Sequence, residues 1–110
     1  MTKDDYQMQF DECELIAGCV ASAFGVSMID MKSRRRSSNG VKMDDARSMY
    51  YYLARNHTTA SYPIIGKALS KNHSSVMSGC KRARAKFNDC NWHSTLLLVT
   101  DFLGFNRLGF

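Results

Sequence analysis

Apolar residues recur at helical spacing along most of this sequence, and this periodicity restricts the chain to a helical fold. The clearest stretch follows the i, i+3, i+4, i+7, i+8, i+11 pattern of one helix face at Cys13, Ile16, Ala17, Val20, Ala21 and Phe24. Gly25 follows as a typical helix stop. Alternation typical of strands is nearly absent, and Pro63 is the single proline. The 110 residues are enough for one domain with one core.

Five further segments are predicted after this first helix. Residues 26–33 form a short helix, and a longer one begins at Asp44 and Asp45. Carboxylates are favourable at a helix start, because they face its unpaired N–H groups. Ser61 caps a short helix with Pro63 in its first turn. Asn72 caps a helix over residues 73–87. Residues 92–103 are a closing helix or, because of their β-branched residues, a strand. The expected fold class is therefore all-α, with about five to six helices.

Composition argues against several classes of protein. The four cysteines, at positions 13, 19, 80 and 90, lack the CxxC spacing of a zinc site, so we interpret them as buried free thiols in a reducing cytosol. The run LLLV at 96–99 is too short to span a bilayer, and the polar N-terminus does not look like a signal peptide. We therefore expect a cytoplasmic protein without a metal, another cofactor or a membrane partner.

The stretch SKNHSSV at 70–76 links a short helix to a longer one and gives the outline of a helix-turn-helix. In that motif the first residues of the second helix meet base edges in the major groove. Here they are small polar side chains, Asn72, His73, Ser74 and Ser75. Asparagine can pair with adenine, and serine can donate or accept. The outline alone is a weak signal, because many helical domains contain such a corner.

His73 has other interpretations. As a metal ligand it lacks partners, because His57 and His93 lie in other segments and no cysteine stands at ligand spacing. As a catalytic base it lacks an evident carboxylate to orient it, so no catalytic residue is predicted. A buried structural histidine and a contact with DNA both remain open at this point.

Basic residues lie in two other places that could meet an anion. The net charge is +5, which permits a polyanionic partner without requiring one. Arg34, Arg35 and Arg36 precede the turn formers SSNG, so we expect an exposed loop there. Arg47, Tyr51 and Arg55 form a second stripe on the long helix, which either is solvated or faces an anion.

The order of these pieces resembles a known family. The stretches GVSMIDMKSRRRS and VKMDDARSMYYYLARNHTTASYPIIGKALSKNHSSVMSGCKRARAKF are similar to the C-terminal DNA-binding domain, domain IV, of the bacterial replication initiator DnaA. The resemblance covers about residues 13–88, within one domain over 1–110 and with 89–110 as a C-terminal extension. It implies a Trp-repressor-like helix-turn-helix bundle that binds double-stranded DNA through a signature helix in the major groove and a basic loop in the minor groove.

The resemblance also assigns roles to individual residues. The run Arg34–Arg36 corresponds to the minor-groove loop, although the loop here is a few residues shorter and leaves open which arginine enters. Arg47 matches an arginine that approaches DNA from the long helix, and Ser48 matches the polar residue after it. Arg55 matches a basic position that suits a phosphate. The triplet 73–75 matches the H-T-T of the signature, with Lys71 and Asn72 before it. Asn72 replaces an aspartate, and serines replace both threonines, so we expect a similar posture on DNA and a changed base preference.

The sequence therefore predicts a sequence-selective DNA-binding protein, not an enzyme, that acts in replication initiation, its regulation or transcription. No GxxxxGK[ST] phosphate loop occurs, and 110 residues leave no room for an ATPase module beside this domain. An alternative is a protein-interaction module that acts on a replication initiator and has a weakened DNA surface. The substituted signature and the apolar stretch LLLVTDFLGF motivate it.

Overall fold

The chain forms six α-helices within the residues that this computed structural model describes, 2–33 and 40–104, with the backbone alone described for 40–42. They are α1 (Lys3–Phe24), α2 (Met28–Lys32), α3 (Gly40–His57), α4 (Tyr62–Lys67), α5 (His73–Lys86) and α6 (Cys90–Leu103). The described ranges contain no strand, so the all-α prediction is confirmed and the last segment is a helix.

Helix α1 is longer than its apolar stripe indicated. It begins ten residues before Cys13, where Thr2 and Asp5 form a capping box. The Asp5 amide donates to the Thr2 hydroxyl at 3.2 Å, and the Thr2 amide donates to the Asp5 carboxylate at 3.3 Å. These bonds satisfy N–H groups that have no partner within the helix. At the other end Gly25 adopts a left-handed conformation with φ 68° and stops the helix, as predicted.

The long helix α3 lies at the centre and packs against both α1 and α5. Its buried residues include Ala46, Met49, Tyr50, Leu53 and Ala54, whose i, i+3, i+4, i+7, i+8 spacing places them on one face. The Tyr50 hydroxyl donates to the carbonyl of Ile65 at 2.6 Å, which fixes α4 to α3 and satisfies a buried polar group. Burial raises the pKa of Tyr50, so the hydroxyl keeps its proton and stays a donor.

The cysteines are less uniformly buried than expected. Cys13 and Cys80 are buried, Cys19 is half-buried, and Cys90 at the start of α6 is exposed. The prediction of buried thiols therefore fails for Cys90. Burial raises the pKa of the Cys13 thiol, which keeps it protonated in the core.

Asp45 connects three helices instead of starting one. Helix α3 begins at Gly40, so the predicted start at Asp44 and Asp45 is wrong by about one turn. The Asp45 carboxylate accepts from Arg82 at 3.0 Å and lies 3.7 Å from the Lys86 ammonium, both on α5. Its backbone carbonyl accepts from the Trp92 indole at 3.2 Å, which attaches α6. Because this carboxylate is only 18% exposed, water screens the pairs less than it would at an open surface.

Helices α3 and α5 approach each other closely at Gly79. A Cβ there would lie 2.7 Å from Cε2 of Tyr51 and closer still to Cδ2, and the ring of Tyr51 is buried. In contrast, a Cβ at Gly18 on α1 would meet no heavy atom within 4 Å.

These two glycines give a matched test of the packing. We expect Gly79→Ala to lower the free energy of unfolding by about 1–3 kcal/mol, because the buried ring must move. Gly18→Ala should raise it by about 0.5–1 kcal/mol, because alanine favours a helix and meets no obstacle. Urea denaturation followed by circular dichroism measures both. Equal stability of the two variants would contradict this packing.

Candidate nucleic-acid interface

The turn between α4 and α5 folds tightly over Gly66. The amides of Leu69 and Lys71 both donate to the Gly66 carbonyl, at 3.0 and 2.8 Å. A Cβ on Gly66 would lie 2.6 Å from the carbonyl oxygen of Lys71, so only glycine admits this approach. Ser70 takes a left-handed conformation with φ 56°, which costs a residue with a side chain some free energy. The turn therefore holds α4 and α5 in a fixed relation.

The N-terminus of α5 presents polar side chains to solvent. The Asn72 side-chain oxygen accepts from the Ser75 amide at 2.9 Å and from the Ser75 hydroxyl at 3.1 Å, which confirms the predicted cap. His73 and Ser74 are exposed, Ser75 is half-buried, and Val76 is fully buried beneath them. The buried-histidine interpretation is therefore wrong. Asn72 is exposed but already uses its oxygen, so it cannot also offer that oxygen to adenine without giving up part of the cap.

Two cations converge on the carbonyl groups at the end of α2. The Arg47 guanidinium on α3 donates to the carbonyls of Asp30, Met31 and Ser33 at 3.0, 2.9 and 2.9 Å. The Lys71 ammonium, from the α4–α5 turn, donates to the Ser33 carbonyl at 2.8 Å. The last carbonyl groups of a helix have no hydrogen-bond donors within it. Arg47 and Lys71 supply the donors that the end of α2 would otherwise lack.

Ser33 therefore connects the start of the basic loop to the helix-turn-helix. It accepts from both cations and directly precedes the run Arg34–Arg36. The run itself lies outside the described residues. Ser33, which directly precedes this run, is therefore bonded to the side chain of Lys71. Lys71 lies two positions before His73, the first residue of α5.

Arg47 and Ser48 are used inside the fold. The Arg47 side chain is 17% exposed and also lies 3.7 Å from the Asp44 carboxylate. Ser48 is 1% exposed and donates its hydroxyl to the Asp45 carbonyl at 2.9 Å. In this conformation Ser48 therefore has no surface with which to contact a ligand, and Arg47 has little. Sequence matching does not reveal this, because the partners of Arg47 lie 14–17 positions away.

Arg55 lies beside a second arginine that the sequence had not singled out. Arg55 and this second arginine, Arg84, are exposed and line a recess between α3 and α5, together with Tyr52, Asn56, Tyr62, Cys80 and Phe87. The Arg55 guanidinium carbon lies 4.8 Å from the centroid of the Tyr62 ring, a cation–π arrangement. Burial raises the pKa of the Cys80 thiol, and the positive charges of Arg84 and Arg55 oppose that shift. The signal for Arg84 was its position within the basic run KRARAK.

Tyr51 on α3 is buried, although the sequence grouped it with Arg47 and Arg55 on a stripe that either is solvated or faces an anion. It is 3% exposed, and burial raises the pKa of its hydroxyl to about 12, partly offset by the charge of Arg47. Within this stripe, Tyr51 thus belongs to the core, and Arg47 and Arg55 lie four positions before and after it.

Within residues 2–33 and 40–104, no group of three or more His, Cys, Asp or Glu side chains is placed to hold a metal ion. No helix in the same ranges is both long and apolar enough to cross a bilayer.

A short helix, a tight turn and a longer helix with an exposed polar N-terminus define a helix-turn-helix domain. Residues 13–83 match the family described as "Bacterial dnaA protein helix-turn-helix", and the chain belongs to that family. This confirms the resemblance found in the sequence.

Relatives of this chain are chromosomal replication initiator proteins DnaA. The protein of Pelobacter propionicus is 40% identical over 77 residues, which cover 69% of this chain and 16% of the relative. DnaA 2 of Chlamydia pneumoniae is 37% identical over 76 residues, covering 69% and 16%. DnaA of a Nostoc species is 33% identical over 95 residues, covering 84% and 20%. The chain thus spans a fifth or less of these relatives. No solved structure matches it significantly.

The internal role of Arg47 can be tested by stability alone. We expect Arg47→Ala to lower the free energy of unfolding by about 2–3 kcal/mol, because three carbonyl groups lose a charged donor. Lys81→Ala, at an exposed position of α5, should change it by less than about 0.5 kcal/mol. Urea titration without any ligand measures both variants. A loss for Arg47→Ala as small as that for Lys81→Ala would show that the carbonyls of α2 do not depend on it.

Proposed function

We propose that this chain binds double-stranded DNA sequence-selectively, with the N-terminus of α5 in the major groove and the loop 34–36 in the minor groove. The observation that carries the proposal is the exposure of His73 and Ser74 at a capped helix N-terminus, directly after a fixed turn. Family membership supports the same function, because the relatives are replication initiators by name.

His73 and Ser74 are the residues we assign to base contacts. Both are exposed, and both follow Asn72, whose capping bonds hold the first turn of α5 in place. Each has a side chain that can donate or accept a hydrogen bond at a base edge. Asn72 and Ser75 then act mainly by positioning, because their side chains bond to each other. The free N–H groups at the start of the helix add a favourable field for a nearby phosphate.

The minor-groove contact is assigned to the run Arg34–Arg36. An arginine entering a narrow minor groove reads the shape of the duplex rather than individual bases. The support from the described residues is the position of Ser33, which Arg47 and Lys71 hold beside the turn before α5. A loop that starts there can follow the same face of the duplex as α5. Arg47 and Lys71 contribute by holding this start and by their positive charge.

Arg55 and Arg84 are assigned to phosphates. They are exposed on neighbouring helices and line one recess, so they can meet the DNA backbone without reading bases. Such contacts position the protein, and they make affinity fall with salt. The biological setting that we propose is replication initiation or its regulation, and we propose no enzymatic activity for the chain.

The experiment selects binding sites from a random duplex library at fixed moderate salt, followed by fluorescence anisotropy on the selected site. His73→Ala and Ser74→Ala should weaken binding to that site about 5- to 100-fold, with little effect on a random duplex. Ser94→Ala, an exposed serine on α6, is the matched control and should leave both affinities unchanged. The proposal fails if no motif is selected and if both His73→Ala and Arg35→Ala bind as the unchanged chain does.

Phosphate contacts give a different signature in the same assay. Arg55→Ala should weaken binding to the selected and random duplexes by the same factor. It should also reduce the slope of log affinity against log salt by about one, because one fewer counterion is released. A loss confined to the selected site would instead assign Arg55 to base recognition.

A further inference from the structure

An apolar groove runs between α1 and α6. Leu15 on α1 and Leu98 and Phe102 on α6 line it, and these side chains are 63%, 68% and 81% exposed. Single exposed apolar residues are normal on a protein surface, but a cluster marks an interaction site. The groove has no residue in common with the turn, the N-terminus of α5 or the recess at Arg55.

The shape of the groove suits a helix. On the α1 side it is lined by the small residues Gly18, Ser22 and Ala23, which allow another backbone to come close. Its cavity volume is about 560 Å³, enough for several apolar side chains of a partner. A third helix laid along α1 and α6 would bury Leu98 and Phe102 from water.

The charge around the groove decides what kind of helix fits. Helices α1 and α6 together contain six carboxylates and a single lysine, although the whole chain has a net charge of +5. Glu14 lines the groove itself, and Asp11 and Glu12 lie beside Leu15 on the adjoining face of α1. This acidic rim disfavours nucleic acid and anionic membranes. It also disfavours a symmetric pairing of two copies, which would bring like charges together.

We propose that the α1–α6 groove binds an amphipathic helix of a partner protein, with apolar residues on one face and lysines or arginines along its edges. The apolar face covers Leu15, Leu98 and Phe102, and the basic edges meet the rim at Glu14 and its neighbours. Because this surface is separate from the assigned DNA surface, the chain can hold a duplex and a protein at once.

The probe is a synthetic 18-residue helical peptide with leucine at i, i+3, i+4 and i+7 spacing and lysine at the flanking positions, about five turns long. A matched peptide has glutamate in place of every lysine. Fluorescence anisotropy with the full chain should show that the lysine peptide binds at least about tenfold more tightly. Leu98→Ser should weaken that binding about tenfold, because a leucine side chain no longer contributes apolar area.

Controls separate the groove from the rest of the surface. Ile29→Ser removes an apolar side chain that is 81% exposed on α2, and it should leave peptide binding unchanged. Glu14→Gln should weaken binding and reduce its salt dependence, whereas Asp30→Asn on α2 should do neither. Leu98→Ser should keep the affinity of the chain for duplex DNA, so failure here is distinguishable from failure of the DNA proposal.

Four results would overturn the proposal. The first is equal affinity for the two peptides, and the second is unchanged binding by Leu98→Ser. The third is peptide binding that strengthens about tenfold when residues 105–110 are deleted, since the chain itself would then occupy the groove. The fourth is a dimer of the unchanged chain, seen by light scattering, that Leu98→Ser dissociates.

Discussion

The hydrogen bonds from Arg47 and Lys71 to the end of α2 join three separate segments of the chain at one point. A five-residue helix has too few internal bonds to be stable alone, and its last carbonyl groups need donors. Here the donors come from α3 and from the α4–α5 turn, so three separate segments meet at Ser33. The start of the basic loop is thereby fixed to the same place as the helix-turn-helix. Arg47 and Lys71, two cations that the resemblance assigned to DNA contact, thus form hydrogen bonds within the fold at the proposed DNA surface.

Charge is divided between two parts of the molecule. Helices α1 and α6 have an excess of carboxylates, while the remaining segments contain all the arginines of the described ranges and most of the lysines. Such a separation orients the chain in the field of a polyanion, because the acidic part is repelled while the basic part is attracted. Asp45 is an exception within the basic part, and there it is paired with Arg82 and Lys86. The same separation makes the α1–α6 groove unsuited to DNA and suited to a basic protein segment.

Local signals made much of the fold predictable. The stripe at 13–24, the stop at Gly25 and the cap at Asn72 depend on neighbours within one or two turns, and all are confirmed. The errors arose where the deciding partner is distant in sequence. Asp45 looked like a helix start because carboxylates favour that position, but its partners lie 37 or more residues away. Ser48 matched the polar residue after the arginine of the long helix, and only the packing of α3 shows that its side chain is buried. The sequence thus predicted which segments form the candidate surface, but it did not predict which cations of those segments bond within the fold.

In the proposed complex, the N-terminus of α5 and residues 34–36 read adjacent grooves of one duplex. Methylation interference on the selected duplex tests it most directly, because guanine N7 lies in the major groove and adenine N3 in the minor groove. We expect methylation at both kinds of atom to block binding, at positions within about half a helical turn, or five base pairs, of each other. Interference confined to one groove, or at positions a full turn or more apart, would contradict it.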